Sequence, residues 1–199
     1  FLTAGKVEYL VVMGTTGENV TISKEEKQAI FSFVAEHNDA GLPLVAGIGG
    51  NNTTEVLEAL KKTKLDGYQA ILSVSPYYNK PNQEGIFQHY KALDAASPLP
   101  IIMYNVPGRT GQNVSGETTV RIANGCKKIF ATKEACGNFD QINYIIKNKP
   151  AHFMVISGDD PITLPMIACG AEGLISVVAN AYPLEYSNMV RLCLQGKFH

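Results

Sequence analysis

Short, almost wholly apolar segments recur along the chain, and longer amphipathic segments separate them. Segments that are apolar at consecutive positions are typical of strands in a parallel sheet that is covered on both faces. The sequence predicts seven such strands: Tyr9–Met13, Leu44–Ile48, Tyr68–Val74, Ile101–Tyr104, Ile129–Thr132, Phe153–Ser157 and Gly173–Val178.

The segments between the predicted strands carry helix signals. Ser23 followed by Glu26 predicts a capping box, and Asn52 with Glu55 repeats the pattern before the next apolar face. Gly41 then ends the first helix. Further helices are predicted over Gln83–Ala96, Ser115–Ala123, Phe139–Lys147, Pro161–Cys169 and Leu184–Gln195.

Strict alternation of strands and helices permits either a doubly wound open sheet or a (β/α)8 TIM barrel. The open sheet would favour a G-x-G-x-x-G motif after its first strand, whereas Gly47-Ile-Gly-Gly50 follows the second strand with a different spacing, and we discount it as a binding loop. The 199 residues are fewer than the ~250 of a typical barrel. We therefore expect one incomplete (β/α)8 barrel domain over residues 1–199, with about strands 2 to 8 present and the first strand and the C-terminal helices missing.

Composition excludes several functional classes. The 17 basic and 18 acidic side chains leave a net charge of −1 and no basic stripe for nucleic acid. No apolar run approaches the ~18 residues of a membrane span, and the N-terminus lacks a signal-peptide pattern. The cysteines form no CxxC pair and lack histidines at zinc spacing, which favours reduced thiols in a cytoplasmic enzyme without a metal. They are Cys126, Cys136, Cys169 and Cys193.

Candidate chemistry is concentrated in the loops that follow the strands, which form the functional face of a barrel. The opposite loops, Ala40–Pro43 and Ser97–Pro100, contain ordinary turn residues. Hydroxyl, phenol and cationic side chains instead occur in the segments Gly14–Glu18, Gly47–Asn51, Ser75–Asn79, Tyr104–Gly111, Lys133–Asn138, Ser157–Asp160 and Ser176–Asn180.

Lys133 is the strongest single candidate, because it ends an apolar strand just before a Gly-Asn turn. A desolvated lysine loses its proton more easily, and the neutral amine can attack a carbonyl carbon to form a Schiff base. The structural alternative is a solvated lysine at a strand end, which is the commoner case. The polar residues at the other strand ends favour the chemical role.

Four motifs in the same order carry a family resemblance: Gly14-Thr-Thr-Gly-Glu18, Tyr104-Asn-Val-Pro107, Lys133-Glu-Ala135 and Gly173-Leu-Ile-Ser-Val177. They resemble the pyruvate-dependent class I aldolases, the family that includes dihydrodipicolinate synthase and N-acetylneuraminate lyase. Gly108-Arg-Thr-Gly111 is similar to the dihydrodipicolinate synthase branch. The resemblance implies a (β/α)8 barrel with added C-terminal helices, in a homodimer or homotetramer.

The resemblance implies that Lys133 condenses with the keto group of pyruvate, and that the resulting enamine attacks L-aspartate-4-semialdehyde. The product, 4-hydroxy-tetrahydrodipicolinate, leads to lysine and diaminopimelate. No cofactor is expected, because bound pyruvate supplies the electron sink. The alternatives are an aldolase of the same family acting on a sugar acid such as N-acetylneuraminate or a 2-keto-3-deoxy acid, a phosphate-binding barrel enzyme, and an inactive barrel fragment.

The resemblance also implies individual roles. Tyr104, Thr15 and Tyr78 form a proton relay, in which Tyr78 reaches into the site of a neighbouring subunit. Arg109 holds the carboxylate of the semialdehyde through two parallel hydrogen bonds, as a planar guanidinium can. The residues expected to bind substrate are Thr16, Arg109, Gly158 and Ile175.

Plainer roles compete with these. Tyr104 could be a core tyrosine, Thr15 a turn or cap residue, and Arg109 a surface ion-pair partner. Glu134 should point away from the barrel axis, opposite to Lys133, and serve the structure. The histidines fall in helical positions or at the opposite end of the barrel, so none is expected to be the catalytic base: His37, His89, His152 and His199.

Many plant and Gram-negative relatives are inhibited by lysine at a site between subunits. Lys24 and Lys27 stand where sensitive enzymes tend to carry neutral or histidine side chains. Two added cations would repel a cationic effector by roughly 1 kcal/mol each. We therefore predict weak or absent feedback inhibition. The positions that match this site are Asn19, Lys24, Lys27, Asn51, Glu55 and Tyr77.

Overall fold

The computed structural model describes residues 1–198, so His199 and the expectation placed on it lie outside the described residues. The centre of the fold is a single sheet in which each strand pairs in parallel with the next along the chain. The strands of the described part are β1 (Leu10–Val12), β2 (Leu44–Gly47), β3 (Tyr68–Val74), β4 (Ile101–Asn105), β5 (Ile129–Glu134) and β6 (Met154–Ser157).

The prediction of a seventh strand over Gly173–Val178 is wrong. Only Leu174 forms a bridge, to Ser157 of β6, and residues Val178–Asn180 form a 3-10 helix. Within the described residues, no strand pairs with the far edge of this segment, so a ladder that would hold it extended does not form. β5 is longer than predicted, because Lys133 and Glu134 continue its pairing with β4.

The predicted capping box of the first helix is confirmed: the Glu26 N–H donates to Ser23 Oγ at 3.2 Å, and the Ser23 N–H donates to Glu26 Oε2 at 2.9 Å. At Asn52 only half of the pattern forms, because the Glu55 carboxylate accepts from the Asn52 side chain instead of its backbone. The helices are α1 (Lys24–Glu36), α2 (Thr53–Lys62), α3 (Gln83–Ala96), α4 (Pro107–Thr110), α5 (Gly116–Gly125), α6 (Phe139–Asn148), α7 (Thr163–Ala168) and α8 (Pro183–Leu194).

Two helix predictions need correction. Residues Pro107–Thr110 were expected to be loop, and they form the short helix α4 with proline at its start, where a missing N–H costs nothing. The helix predicted over Pro161–Cys169 is divided into a 3-10 turn, Asp160–Ile162, and α7. Pro161 favours the first turn of a helix, and this first turn is wound more tightly than an α-helix.

Alternation along the strands divides the core into two layers. Leu44, Ile71 and Ile101 pack outward against the helices, whereas Val45 and Ile102, one residue further along their strands, pack in a second cluster on the inner face. The inner cluster marks the concave side of a curved sheet, which is the arrangement of a partial barrel.

The curvature brings the two ends of the sheet toward each other. The Tyr9 phenol, just before β1, donates a 3.0 Å hydrogen bond to the Leu174 carbonyl, which follows β6. Burial raises the pKa of Tyr9 well above its ordinary range, so this phenol remains a donor. None of the helices in residues 1–198 has the length and apolarity required to cross a membrane.

Candidate active site

Lys133 lies on the inner face of the sheet, next to Tyr104. The two residues are direct cross-strand partners on β4 and β5, and Lys133 also pairs with Ile156 of β6. The Lys133 side chain is buried, with 7% of its residue surface exposed, and its Nζ is 4.3 Å from the centroid of the Tyr104 ring. Ala131, two residues earlier on the same face, belongs to the inner cluster with Tyr104. The strand pairing therefore places a single amine inside the partial barrel.

Burial changes the acidity of this amine. Desolvation lowers the pKa of Lys133 from its ordinary 10.5 to about 8, because a charged ammonium loses its water. The carboxylate of Asp160 acts in the opposite direction, and the guanidinium of Arg109 lowers the pKa further. A fall from 10.5 to about 8 increases the neutral fraction at pH 7 by roughly 300-fold. A larger neutral fraction makes an amine more nucleophilic near neutral pH.

Gly158 leaves the space that the Lys133 side chain occupies. A Cβ atom at position 158 would lie 2.8 Å from Lys133 Cε and 2.9 Å from Lys133 Cγ, far inside van der Waals contact. The backbone N–H of Gly158 donates to the Glu134 carbonyl at 2.9 Å, which fixes the approach of the two segments. Any larger residue here would displace the amine.

The Tyr104 phenol is buried beside the amine, and burial raises its pKa. The positive charge of Arg109 and a hydrogen bond with the Thr15 side chain oppose this rise, whereas the charge of Asp159 adds to it. The phenol therefore stays protonated at neutral pH, and it shares its cavity with the Thr15 hydroxyl. Such a pair can pass a proton between a bound molecule and the surroundings.

A cavity of about 230 Å³ opens at this end of the sheet. Thr15, Tyr104 and Arg109 line it together, so it combines a hydroxyl, a phenol and a guanidinium. Lys133 does not line this cavity, but its Nζ is 4.3 Å from the centroid of the Tyr104 ring, and Ile175 packs in the same inner cluster as Tyr104. The cavity therefore offers a small polar molecule a cation and two hydroxyls, and Tyr104 lies between it and the Lys133 amine.

Five of the residues predicted from the sequence are not among those that line this cavity: Lys133, Gly158, Ile175, Thr16 and Tyr78. Thr16 is exposed on the 3-10 helix Thr15–Gly17, and it is not among the cavity residues. Tyr78 is 87% exposed and has a backbone φ of 71°, a conformation that is unfavourable for a residue with a Cβ. Within this chain, Tyr78 belongs to the surface and not to the site.

Two elements of the site were missed or misjudged from the sequence. The negative charge of Asp160 acts to raise the pKa of Lys133. The Asp160 carboxylate accepts hydrogen bonds from the Ser176 hydroxyl and from the Val177 N–H, the latter at 3.0 Å. Its position after β6, in Ser157-Gly-Asp-Asp160, was the available signal. The loop discounted as a binding loop also contributes, because Gly47 and Gly49 line the cavity.

The positions matched to an effector site are only partly brought together. Asn19 and Tyr77 line the same cavity, and the Asn51 carbonyl accepts a 3.0 Å hydrogen bond from the Asn79 side chain. Lys24 and Lys27 lie on α1, outside the cavity, as does Glu55 on α2.

The histidines lie away from the cavity, as expected for those that the structure describes. His37 and His152 are exposed. His89 is buried with its Nδ1 2.8 Å from Thr53 Oγ1, and burial lowers its pKa to about 4. Among residues 1–198, no group of three His, Cys, Asp or Glu side chains converges as a metal site would require.

The known proteins that resemble this chain in sequence and in structure belong to one family. The sequence profile of the dihydrodipicolinate synthetase family matches residues 1–199. The 4-hydroxy-tetrahydrodipicolinate synthase of Parabacteroides distasonis is 56% identical over 191 residues, which is 96% of this chain and 64% of that protein. This chain therefore spans somewhat less than two thirds of that relative.

Solved structures of dihydrodipicolinate synthases have the same fold as this chain. The crystal structure of dihydrodipicolinate synthase from Aquifex aeolicus superposes with a TM-score of 0.95 at 39% identity, and the match covers 100% of this chain and 68% of that one. The chloride-inhibited dihydrodipicolinate synthase of Acinetobacter baumannii, solved in complex with pyruvate, gives a TM-score of 0.90 at 39% identity, with coverage of 98% and 67%.

Proposed function

Because the chain belongs to the dihydrodipicolinate synthetase family, we propose that the complete protein is a 4-hydroxy-tetrahydrodipicolinate synthase. This class I lyase condenses pyruvate with L-aspartate-4-semialdehyde on the route to lysine and diaminopimelate. The observation that carries the proposal is the buried amine of Lys133, whose pKa is lowered to about 8 and which lies 4.3 Å from the Tyr104 ring.

In this mechanism the neutral amine of Lys133 attacks the keto carbon of pyruvate, and water leaves to give an iminium ion. The iminium nitrogen then accepts the electron pair of the broken methyl C–H bond, which yields an enamine. The enamine carbon attacks the aldehyde of the second substrate, and the alkoxide that forms takes up a proton. Hydrolysis or cyclisation finally releases Lys133. Asp160 supports these steps, because its negative charge favours the positively charged iminium.

The proton transfers are assigned to Tyr104, Thr15 and Tyr78. Tyr104 and Thr15 line the same cavity, and the Thr15 side chain acts to lower the pKa of the Tyr104 phenol, which supports the first half of the relay. Tyr78 is exposed in a strained backbone conformation, which supports a role at the surface of a neighbouring copy in a homodimer or homotetramer. The complete site is then shared between subunits.

Arg109 distinguishes this proposal from a sugar-acid aldolase. Its guanidinium lines the cavity beside Tyr104, where a carboxylate of the second substrate could be gripped by two parallel hydrogen bonds. Thr16 is assigned to the pyruvate carboxylate, and Gly158 and Ile175 to the walls of the pyruvate site. The close approach of Gly158 to Lys133 supports its assignment.

The complete protein is also proposed to be a full (β/α)8 barrel with added C-terminal helices. A second cavity, of about 520 Å³, is lined by β1 and by the segment after β6, including Tyr9, Val11 and Leu174. An additional parallel strand would pair with both flanking backbones there, and it would close the barrel.

The deciding experiment is borohydride reduction of the complete protein in the presence of pyruvate, followed by peptide mass mapping. We expect one pyruvyl adduct, on Lys133, and a faster turnover with L-aspartate-4-semialdehyde than with any sugar-acid aldehyde. An adduct on another lysine would overturn the assignment of the nucleophile. Trapping at Lys133 without turnover of the semialdehyde would instead favour the sugar-acid alternative.

A further inference from the structure

A buried polar cluster lies on the opposite face of the same two strands that carry Tyr104 and Lys133. Glu134 and Asn105 are the next cross-strand pair along β5 and β4, and both are 0% exposed. Because side chains alternate along a strand, this pair faces the helices while Tyr104 and Lys133, the preceding cross-strand pair, lie on the inner face of the sheet. The mechanism described above does not use either residue, so the burial of a carboxylate here needs another explanation.

The Glu134 carboxylate is surrounded by donors. The Asn105 side-chain amide donates to both of its oxygens, at 2.9 and 3.2 Å, and the Cys136 backbone N–H donates to Oε1 at 2.9 Å. Gln141 on α6 supplies a longer contact to Oε2, at 3.5 Å. Burial raises the pKa of Glu134, and these donors oppose the rise. Every contact that reaches the carboxylate is a donor, which matches an acceptor-only ionised group.

The cluster extends to the segment that follows Arg109. The Asn105 amide also donates to Asn113 Oδ1 at 2.9 Å, and Asn105 Oδ1 accepts from the Val114 N–H at 3.0 Å. Gln141 closes the circuit, because it accepts from the Asn113 amide at 2.7 Å and donates to the Val114 carbonyl at 3.0 Å. One connected set of hydrogen bonds therefore ties the end of β4, the end of β5, the segment after α4 and the start of α6.

We propose that Glu134 is a positioning residue whose carboxylate, through Asn105, Asn113 and Gln141, holds Lys133, Tyr104 and the Arg109 segment in the arrangement that the reaction needs. This inference rests on the proposed function. Glu134 touches neither the cavity nor the amine, so it acts through the backbone: a shift of its side chain moves Lys133, its neighbour in sequence. Burial of a carboxylate costs folding free energy unless the group is fully hydrogen-bonded, and a hydrogen-bond network of this kind fixes the positions of the three site elements that it joins.

The test compares three variants of the complete protein, Glu134→Gln, Asn105→Asp and the double variant. Glu134→Gln keeps the shape and places an amide N–H against the Asn105 amide. The matched control is Ile129→Val, at the far end of β5, where a fully buried side chain loses one methyl group without touching the network. All rates are measured well below each variant's Tm.

For each single variant, we expect the maximal rate of pyruvyl trapping at Lys133 to fall by ten- to a hundredfold, with the half-saturating pyruvate concentration within twofold of the wild type. Ile129→Val should lower Tm and leave the trapping rate unchanged. The fold loss of trapping rate in the double variant should be smaller than the product of the two single losses, because the first substitution already disrupts the hydrogen bonds that the second would remove. Any of three results would refute the positioning role. The trapping rates of the single variants could stay within twofold of the wild type, or the loss of rate could simply follow the loss of Tm. In the double variant, the loss could equal the product of the two single losses.

Two further measurements keep the test decisive. Acetylation of Lys133 by acetic anhydride, followed by mass spectrometry, reports the exposure and reactivity of the amine without pyruvate. If the wild type forms no pyruvyl adduct, the proposed function fails. The positioning role is then judged by acetylation alone: a changed rate of Lys133 acetylation in Glu134→Gln supports it, and an unchanged rate refutes it. If the buried variants do not fold, Gln141→Ala at the half-buried margin should lower trapping two- to fivefold, and no change would refute the role.

Discussion

Replacing Gly158 by alanine tests whether the observed conformation of Lys133 is the reactive one. Position 158 does not have a left-handed φ, so alanine imposes no backbone strain there. Its Cβ would lie 2.8 Å from Lys133 Cε, 2.9 Å from Lys133 Cγ and 3.1 Å from Ala135 Cβ. Carbon atoms in contact prefer about 3.5–4.0 Å, so the lysine must move by roughly 0.7 Å or more.

A displacement of this size has a predictable effect. Misplacing a reacting group by about 1 Å can cost ~100-fold in rate, which corresponds to about 2.7 kcal/mol of activation free energy. Overpacking of this kind typically destabilises a protein by about 1–3 kcal/mol. We therefore expect Gly158→Ala to lower the maximal rate of borohydride trapping by roughly 10- to 100-fold and to reduce Tm by a few degrees.

Gly173→Ala is the matched control, because a Cβ at that position meets nothing within 4 Å and φ is not left-handed. The assay is pyruvate trapping in the complete protein, with the adduct quantified by mass spectrometry and Tm recorded for each variant. A Gly158→Ala protein that traps pyruvate as fast as Gly173→Ala would refute the reasoning, since Lys133 would then react from a conformation different from the one described.

The remaining predictions concern protonation, proton transfer and specificity. Imine formation should rise with pH around a midpoint near 8, because the pKa of Lys133 is lowered to about 8 from 10.5. Below pH 8 the buried charge destabilises the wild type, so Lys133→Met should have the higher Tm. The difference in Tm should shrink between pH 8 and 10.5, where the folded wild type has lost a proton that the unfolded state retains. Tyr104→Phe should lower kcat by roughly 10²–10⁴-fold with little change in Tm, and a kcat within threefold of wild type would remove the phenol from the relay. Arg109→Ala should raise the KM for the semialdehyde by roughly tenfold and move the Lys133 midpoint upward, since the guanidinium lowers that pKa, and Arg109→Lys should not restore the KM. Lysine should inhibit the complete protein weakly or not at all, and replacing Lys24 and Lys27 by neutral residues should increase inhibition; tight inhibition of the wild type would show that their charges do not act on the effector.

Much of the architecture follows from local features of the sequence. The apolar runs identified the six strands, because burial on both faces of a parallel sheet leaves apolar residues at consecutive positions. Ser23 with Glu26 located the start of α1, since a capping box needs only contacts between near neighbours. Lys133 stood out for the same kind of reason, as a lone charge at the end of an apolar strand.

Other features depend on partners distant in the sequence. The segment predicted as a seventh strand satisfied its local pattern, but a strand also needs a neighbour on its edge, and within the described residues Leu174 has only Ser157. Asp160 became part of the site because the fold brings its charge near enough to Lys133 to act on the pKa of that amine. The outward direction of Glu134 was expected from strand alternation, but its hydrogen-bond network could not be anticipated, since its amide partners Asn105, Asn113 and Gln141 come from three separate segments.

The sequence by itself located the six strands to within two residues at each end, showed that the reactive groups follow them, and singled out one lysine as the candidate nucleophile. It could do so because periodicity, capping and the isolation of one charge are properties of adjacent residues. Only the tertiary structure decided that Lys133 is buried against Tyr104, that its pKa falls to about 8, and that Gly158 makes room for it. Desolvation and steric exclusion arise from groups that the chain brings together only when it folds.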